Sequence, residues 1–172
     1  MLFNASVLIV DDEEIMREIL ESLLTREGCR VRFAHSGEEA LKIAKAETFD
    51  VAVVDVMMPG INGIETLERL KRIDADLPVI IITAFGTSAN TREAFKRGAF
   101  DFIEKPFKND DVLLVVRNAV AQRHLVTENR TLRQTLQLQK HRFSDLMGRS
   151  PRMKRVFDLI SQAAPSRTTI LV

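Results

Sequence analysis

Five short aliphatic runs, SVLIV (6 to 10), CRVRFA (29 to 34), VAVV (51 to 54), VIII (79 to 82) and FDFI (100 to 103), alternate along this chain with amphipathic stretches. The helical patterns fall at Glu14 to Arg26, Gly37 to Ala46, Ile64 to Ile73 and Ser88 to Arg97. Nearly continuous Val/Ile runs suit strands covered on both faces, and strand-helix-strand repetition suits a parallel sheet with right-handed crossovers. The alternation therefore predicts a doubly wound α/β domain with five parallel strands. Local punctuation agrees: Gly28 follows the first helix, Ser36 stands where an N-cap is wanted, Pro78 precedes the fourth strand and Gly98 closes the fourth helix.

From Asn109, read as an N-cap, the pattern stays helical without Gly or Pro until Gly148. Such a helix reaches on the order of 50 Å, more than one sheet can cover, so its later part is expected to project. Val112, Leu113, Val116 and Val120 suit packing on the sheet, while Leu125, Leu132 and Leu136 extend an apolar stripe beyond it. With Leu125 and Leu132 at d positions, Asn129 falls at an a position, where a polar residue specifies a two-stranded register. A short parallel coiled coil is the expectation, and a solvated single helix or a fold-back is the competing reading. The expected organisation is a domain over residues 1–120, a helical linker over 121–142, and the start of a further unit over 143–172.

Composition narrows the function classes. Apolar residues at 45% and charged residues at 28% are ordinary shares for a chain with a full core. No apolar run approaches the roughly 20 residues of a membrane span, and MLFNASVLIVDD lacks the basic start of a secretory signal, so a cytoplasmic protein without membrane contact is expected. Cys29 stands alone, and His35, His124 and His141 have no metal-ligand spacing, which disfavours disulfide and zinc chemistry. Residues 1–116 hold 14 Lys+Arg against 21 Asp+Glu (net −7), whereas 117–172 hold 11 against 3 (net +8). No nucleic-acid motif accompanies the basic part, which reads as a solvated helix face.

In an open parallel sheet, ligands gather at the carboxyl ends of the strands. The first strand delivers Asp11 and Asp12 there, the third Asp55, the fourth Thr83, and the fifth Lys105 followed by Pro106. The second delivers only His35 and Ser36, which suits an outer strand in the order 2-1-3-4-5 of flavodoxin-like sheets. Three carboxylates on one edge repel unless a cation intervenes, and Mg²⁺, held by carboxylates plus phosphate oxygens, resolves this. The backbone carbonyl of Met57 is well placed to add a metal oxygen. The remaining parts suit phosphoryl transfer onto Asp55, with Lys105 and the metal neutralising charge and the Thr83 hydroxyl donating to a phosphoryl oxygen. Taken singly, each has a plain alternative: Asp11 and Asp12 as a helix cap, Thr83 as a strand residue, Lys105 as a surface charge. Their convergence on one edge in complementary types favours the site.

The ordered motifs DD (11 to 12), DVMMPGINGIE (55 to 65), TAFG (83 to 86) and GAFDFIEKPF (98 to 107) resemble the receiver domain of two-component response regulators over residues 4 to 120. The resemblance implies that Asp55 accepts phosphate from a histidine kinase and that Asp11, Asp12, Asp55 and the Met57 carbonyl surround Mg²⁺. It also implies that Thr83 and Lys105 contact the phosphoryl group and that Phe102 is the aromatic switch residue, here without the hydroxyl of a tyrosine. Such a domain is a phosphoacceptor switch, with at most self-phosphorylation and self-dephosphorylation as enzymology.

The tail, LMGRSPRMKRVFDLISQAAPSRTTILV, resembles the opening of the AAA+ domain of NtrC-type, sigma-54-dependent transcription activators. That domain continues into a P-loop, and no G-x-x-x-x-G-K-[ST] occurs in the 172 residues, so no ATPase is expected of this stretch. The tail reads as cut before the P-loop, and homodimerisation through the long helix is expected to control DNA-bound, sigma-54 polymerase output in a longer parent. Two rival readings remain. A stand-alone receiver acting by protein binding leaves the tail unexplained, and an aspartate-nucleophile phosphatase lacks the Asp-x-Asp pattern at Asp55-Val56-Met57.

Overall fold

The computed structural model describes residues 4–84, 94–142, 152, 155 and 156, with the backbone alone over 136–142. The chain divides into two compact units, residues 1–127 and 128–172.

Five parallel strands form one sheet: β1 (Ser6–Val10), β2 (Arg30–Ala34), β3 (Val51–Asp55), β4 (Val79–Thr83) and β5 (Asp101–Glu104). Their order is β2-β1-β3-β4-β5, as expected from what each strand delivers to its carboxyl end. Helices α1 (Glu14–Arg26), α2 (Gly37–Ala46), α3 (Gly63–Ile73) and α4 (Asn109–Arg142) connect or follow them. Of the helix expected over 88–97, residues 94–96 are helical and close at Gly98 (φ 91°), whereas residues 85–93 lie outside the described residues. Residues 143–151, and most of those after them, also lie outside.

Strand side chains alternate between two cores. Val7, Ile9, Val51, Val53, Ile80 and Ile82 face one layer, with Leu20 and Leu24 of α1 and Val112 and Val116 of α4. Leu8, Val10, Ala52, Val54 and Ile81 face the other, with Leu67 and Leu70 of α3. Each large apolar side chain withdrawn from water in this way contributes roughly 1.5–3 kcal/mol.

Two helices are capped by the residues that precede them. Ser36 Oγ accepts from the Glu39 N–H at 3.3 Å, and Asn62 Oδ1 from the Glu65 N–H at 2.8 Å. The expected N-cap at Asn109 is off by one residue: the Lys108 carbonyl accepts the Val112 N–H at 3.3 Å and so opens α4. Cys29 likewise falls just outside β2. Among the described residues, no helix is long and apolar enough to cross a membrane.

Register aligns the strand ends. Val10 pairs with Val54 and Asp55 with Ile82, while Thr83 pairs with Glu104. The residues after Val10, Val54 and Glu104 therefore reach one edge together.

Candidate functional site: a carboxylate cluster at the sheet edge

Asp55 is the last residue of β3 and is 5% exposed, so a charged group ends a strand that is otherwise apolar. Its two oxygens have different partners. Oδ1 lies 3.0 Å from Lys105 Nζ, and Oδ2 accepts from the Met57 N–H at 2.9 Å. Asp11, buried at the end of β1, takes Lys105 on Oδ2 at 3.3 Å and the Glu13 N–H on Oδ1 at 2.8 Å. The N-cap of α1 is Glu13, without a side-chain cap bond, so the helix-cap reading of Asp11 does not hold: its bond to the Glu13 N–H closes a local turn ahead of the helix.

One carboxylate oxygen from each of Asp11, Asp12 and Asp55 lies within 4.8 Å of the others. Asp11 and Asp55 are buried and Asp12 is exposed, so the cluster opens to solvent on one side. Three hard oxygen donors with an open side fit a hard divalent cation that retains water. Burial pushes the Asp55 carboxyl above its usual range, against the pull of Lys105 and of the Met57 amide and with a further push from Asp11. Burial works against the Lys105 ammonium as well, but the hydrogen bonds and charges of Asp55 and Asp11 outweigh it and hold Lys105 above its ordinary value.

Thr83 ends β4, buried, one residue beyond the Ile82 that pairs with Asp55. Met57 turns its side chain outward, 61% exposed, while its backbone amide faces Asp55. Phe102 stands apart from the carboxylates on β5, with its ring edge-on to Phe95 at a centroid distance of 5.9 Å. The structure thus gathers Asp11, Asp12, Asp55 and Lys105 directly.

A residue model for the response regulator receiver domain matches residues 7–117. The chain belongs to the response regulator receiver family. This receiver is 39% identical over 172 residues to the C4-dicarboxylate transport transcriptional regulatory protein DctD of Pseudomonas aeruginosa, covering 98% of this chain and 37% of the relative. It is 31% identical to the DNA-binding transcriptional regulator NtrC of Proteus hauseri, covering 98% of this chain and 35% of the relative. The chain thus spans little more than a third of the length of these curated relatives, and the likeness to NtrC-type regulators runs beyond the receiver into the tail. Among solved structures, a response regulator receiver domain protein from Clostridium thermocellum matches with a TM-score of 0.67 at 32% identity, covering 71% of this chain and 98% of that one.

Two residues of the receiver site escaped the sequence reading. Gly63 begins α3 so close to β3 that a Cβ there would meet the Asp55 carbonyl oxygen at 2.1 Å. The cue was the Asn62-Gly63 pair, an N-cap followed by a residue without a side chain. The other is Arg17, 9% exposed, whose Nη1 donates to the Asp11 carbonyl at 2.6 Å. An arginine in an amphipathic helix gives no sign in sequence that it points inward.

Proposed function

We propose that this receiver is a phosphorylation-driven switch in which Asp55 accepts a phosphoryl group from a histidine kinase. The observation that carries this reading is the convergence on Asp55: one ammonium at 3.0 Å and two further carboxylates whose oxygens lie within 4.8 Å. Asp11, Asp12, Asp55 and the Met57 carbonyl would hold Mg²⁺, whose charge offsets the repulsion between the carboxylates and an incoming phosphate. An Asp55 oxygen attacks phosphorus, and the P–N bond to the donor imidazole breaks as the O–P bond forms, leaving an acyl phosphate. Lys105 neutralises charge on the phosphoryl oxygens, and the Thr83 hydroxyl donates to one of them.

A cleft of about 500 Å³ lined by Met16, Ile19, Lys105, Pro106, Phe107 and Asn109 borders the site. Ile19 in its wall is 44% exposed, and Ile15 of the same helix 72%, which offers a phosphodonor protein an apolar landing on the helix that borders Lys105.

The acyl phosphate adds roughly −1.5 to −2 charge units. Thr83 moves inward toward the new acceptors, and Phe102 fills the space vacated; the loop expected to follow Thr83 lies outside the described residues. Moving such an equilibrium from 1:99 to 99:1 takes about 5.5 kcal/mol, within reach of a few charged hydrogen bonds at roughly 1.5–3 kcal/mol each.

Helix α4 receives the change. Val112, Val116, Ala119 and Val120 bury it against the domain, whereas Leu125 and Leu132, one heptad apart, are 67% and 57% exposed. Two chains pair in parallel along that stripe, with Asn129 setting the register. Residues 1–120 form the receiver, 121–142 the linker, and 143–172 the start of an AAA+ domain. In a longer cytoplasmic protein this pairing controls a DNA-bound, sigma-54-dependent activator.

Treatment with acetyl phosphate, followed by intact mass and sedimentation, tests the reading. A Mg²⁺-dependent phosphoryl adduct with a changed state of association supports it, and an adduct without any change in association removes the output mechanism.

A further inference from the structure

Arg17 is the buried arginine among the described residues, and it lies at the carboxylate cluster. Its side-chain hydrogen bond goes to a neutral acceptor, the Asp11 carbonyl at 2.6 Å, although three carboxylates stand nearby. Burying a guanidinium is costly unless it is well hydrogen-bonded, so its location calls for an explanation beyond ion pairing.

The Asp11 carbonyl belongs to the peptide that joins Asp11 to Asp12. That unit is planar, so holding its oxygen restricts the two torsions that flank it, ψ of Asp11 and φ of Asp12, from which the two carboxylate side chains take their directions. On the strand side the Asp11 N–H is held by the Ala34 carbonyl at 3.3 Å, a long bond that constrains it little. On the helix side, Arg17 N–H donates to the Glu13 carbonyl at 3.2 Å, so the residue that grips the peptide is itself seated in the first turn of α1. The β1–α1 connection is thereby spanned by one side chain from helix to strand end.

We infer that Arg17 is a positioning residue for the metal and phosphoryl site: it orients the Asp11-Asp12 peptide so that both carboxylates converge with Asp55. The inference rests on the reading of Asp11, Asp12 and Asp55 as cation ligands. Groups that orient ligands from behind typically change metal affinity 10–100-fold when removed. A purely electrostatic role predicts the opposite sign, because removing a cation beside the cluster strengthens the binding of another cation.

The test compares wild type, Arg17→Lys and Arg17→Met by calorimetric titration with Mg²⁺ and by metal-free hydrogen exchange at the Glu13 amide, which donates to Asp11 Oδ1. Global stability by urea unfolding runs alongside. The expected result is a Mg²⁺ dissociation constant at least about 10-fold higher in Arg17→Met. Glu13 exchange should be faster, core-strand exchange unchanged, and Arg17→Lys intermediate on both measures. An Arg17→Met protein that binds Mg²⁺ as tightly as wild type or more tightly, with wild-type Glu13 exchange, overturns the inference. Should wild type itself not bind Mg²⁺, the cation reading of the cluster fails, and the Glu13 exchange still decides whether Arg17 orients the loop.

Discussion

Lys105 and Asp11, 94 residues apart, are joined at 3.3 Å, and the same ammonium stands 3.0 Å from Asp55. One ammonium thus ties the ends of β1, β3 and β5 together. Its raised pKa means that its contribution is fully present below the ordinary lysine range and is lost as pH rises through the raised value. Replacement by methionine leaves two buried carboxylates facing each other. Urea unfolding of Lys105→Met at neutral pH is expected to show a loss of roughly 3 kcal/mol, the low end for a broken buried pair. The loss should shrink on acidification as Asp55 takes up a proton.

Asp55 has a pH signature of the same sign in a lower pH range. Because burial raises its pKa, the fold favours the neutral carboxyl, and that preference disappears as pH rises through the raised value. Asp55→Asn is therefore expected to melt at a higher temperature than wild type at neutral pH without metal. The difference should close on acidification below that raised range. Added Mg²⁺ should raise the melting temperature of wild type more than that of Asp55→Asn, because binding to the native state stabilises by mass action.

Gly63→Ala tests the close approach of α3 to the strand end. The added methyl would overlap the Asp55 carbonyl, with Val56 Cα at 2.8 Å behind it, so the backbone carrying the acceptor must shift. A loss of roughly 1–3 kcal/mol is expected in urea unfolding. Phosphorylation by acetyl phosphate should fall by more than that stability loss accounts for. A substitution at Asn62, which only removes the cap of the same helix, serves as the control at about 1 kcal/mol.

Arg123 of α4 forks onto Asp74 at the end of α3, with bonds of 3.1 and 2.5 Å and side chains 15% and 31% exposed. A double-mutant cycle of Arg123→Gln and Asp74→Asn is expected to give a coupling of about 1 kcal/mol, at the upper end for pairs that water reaches. Hydrogen exchange should speed up in α4 near residues 117–127 and not in β1 or β3.

Much of this was legible in sequence for a physical reason. Val10, Val54 and Ile82 sit in apolar runs that each end at the first polar residue, so the strand ends could be read directly, and parallel pairing then carries Asp11, Asp55 and Lys105 to the same edge. What stayed hidden depends on three-dimensional approach. The inward turn of Arg17 is set by the distance from α1 back to β1. The need for glycine at position 63 comes from a strand end eight residues earlier. The division of the Asp55 oxygens between Lys105 and Met57 is a matter of side-chain rotation that no spacing encodes.

The most direct test of the account is intact mass after incubation with acetyl phosphate, for wild type and Asp55→Asn, with and without Mg²⁺. A single phosphoryl adduct that requires Mg²⁺ and is absent from Asp55→Asn is the predicted result. An adduct of equal yield in the variant, or one formed equally without the metal, would contradict the assignment of Asp55 as the acceptor at a metal-dependent site.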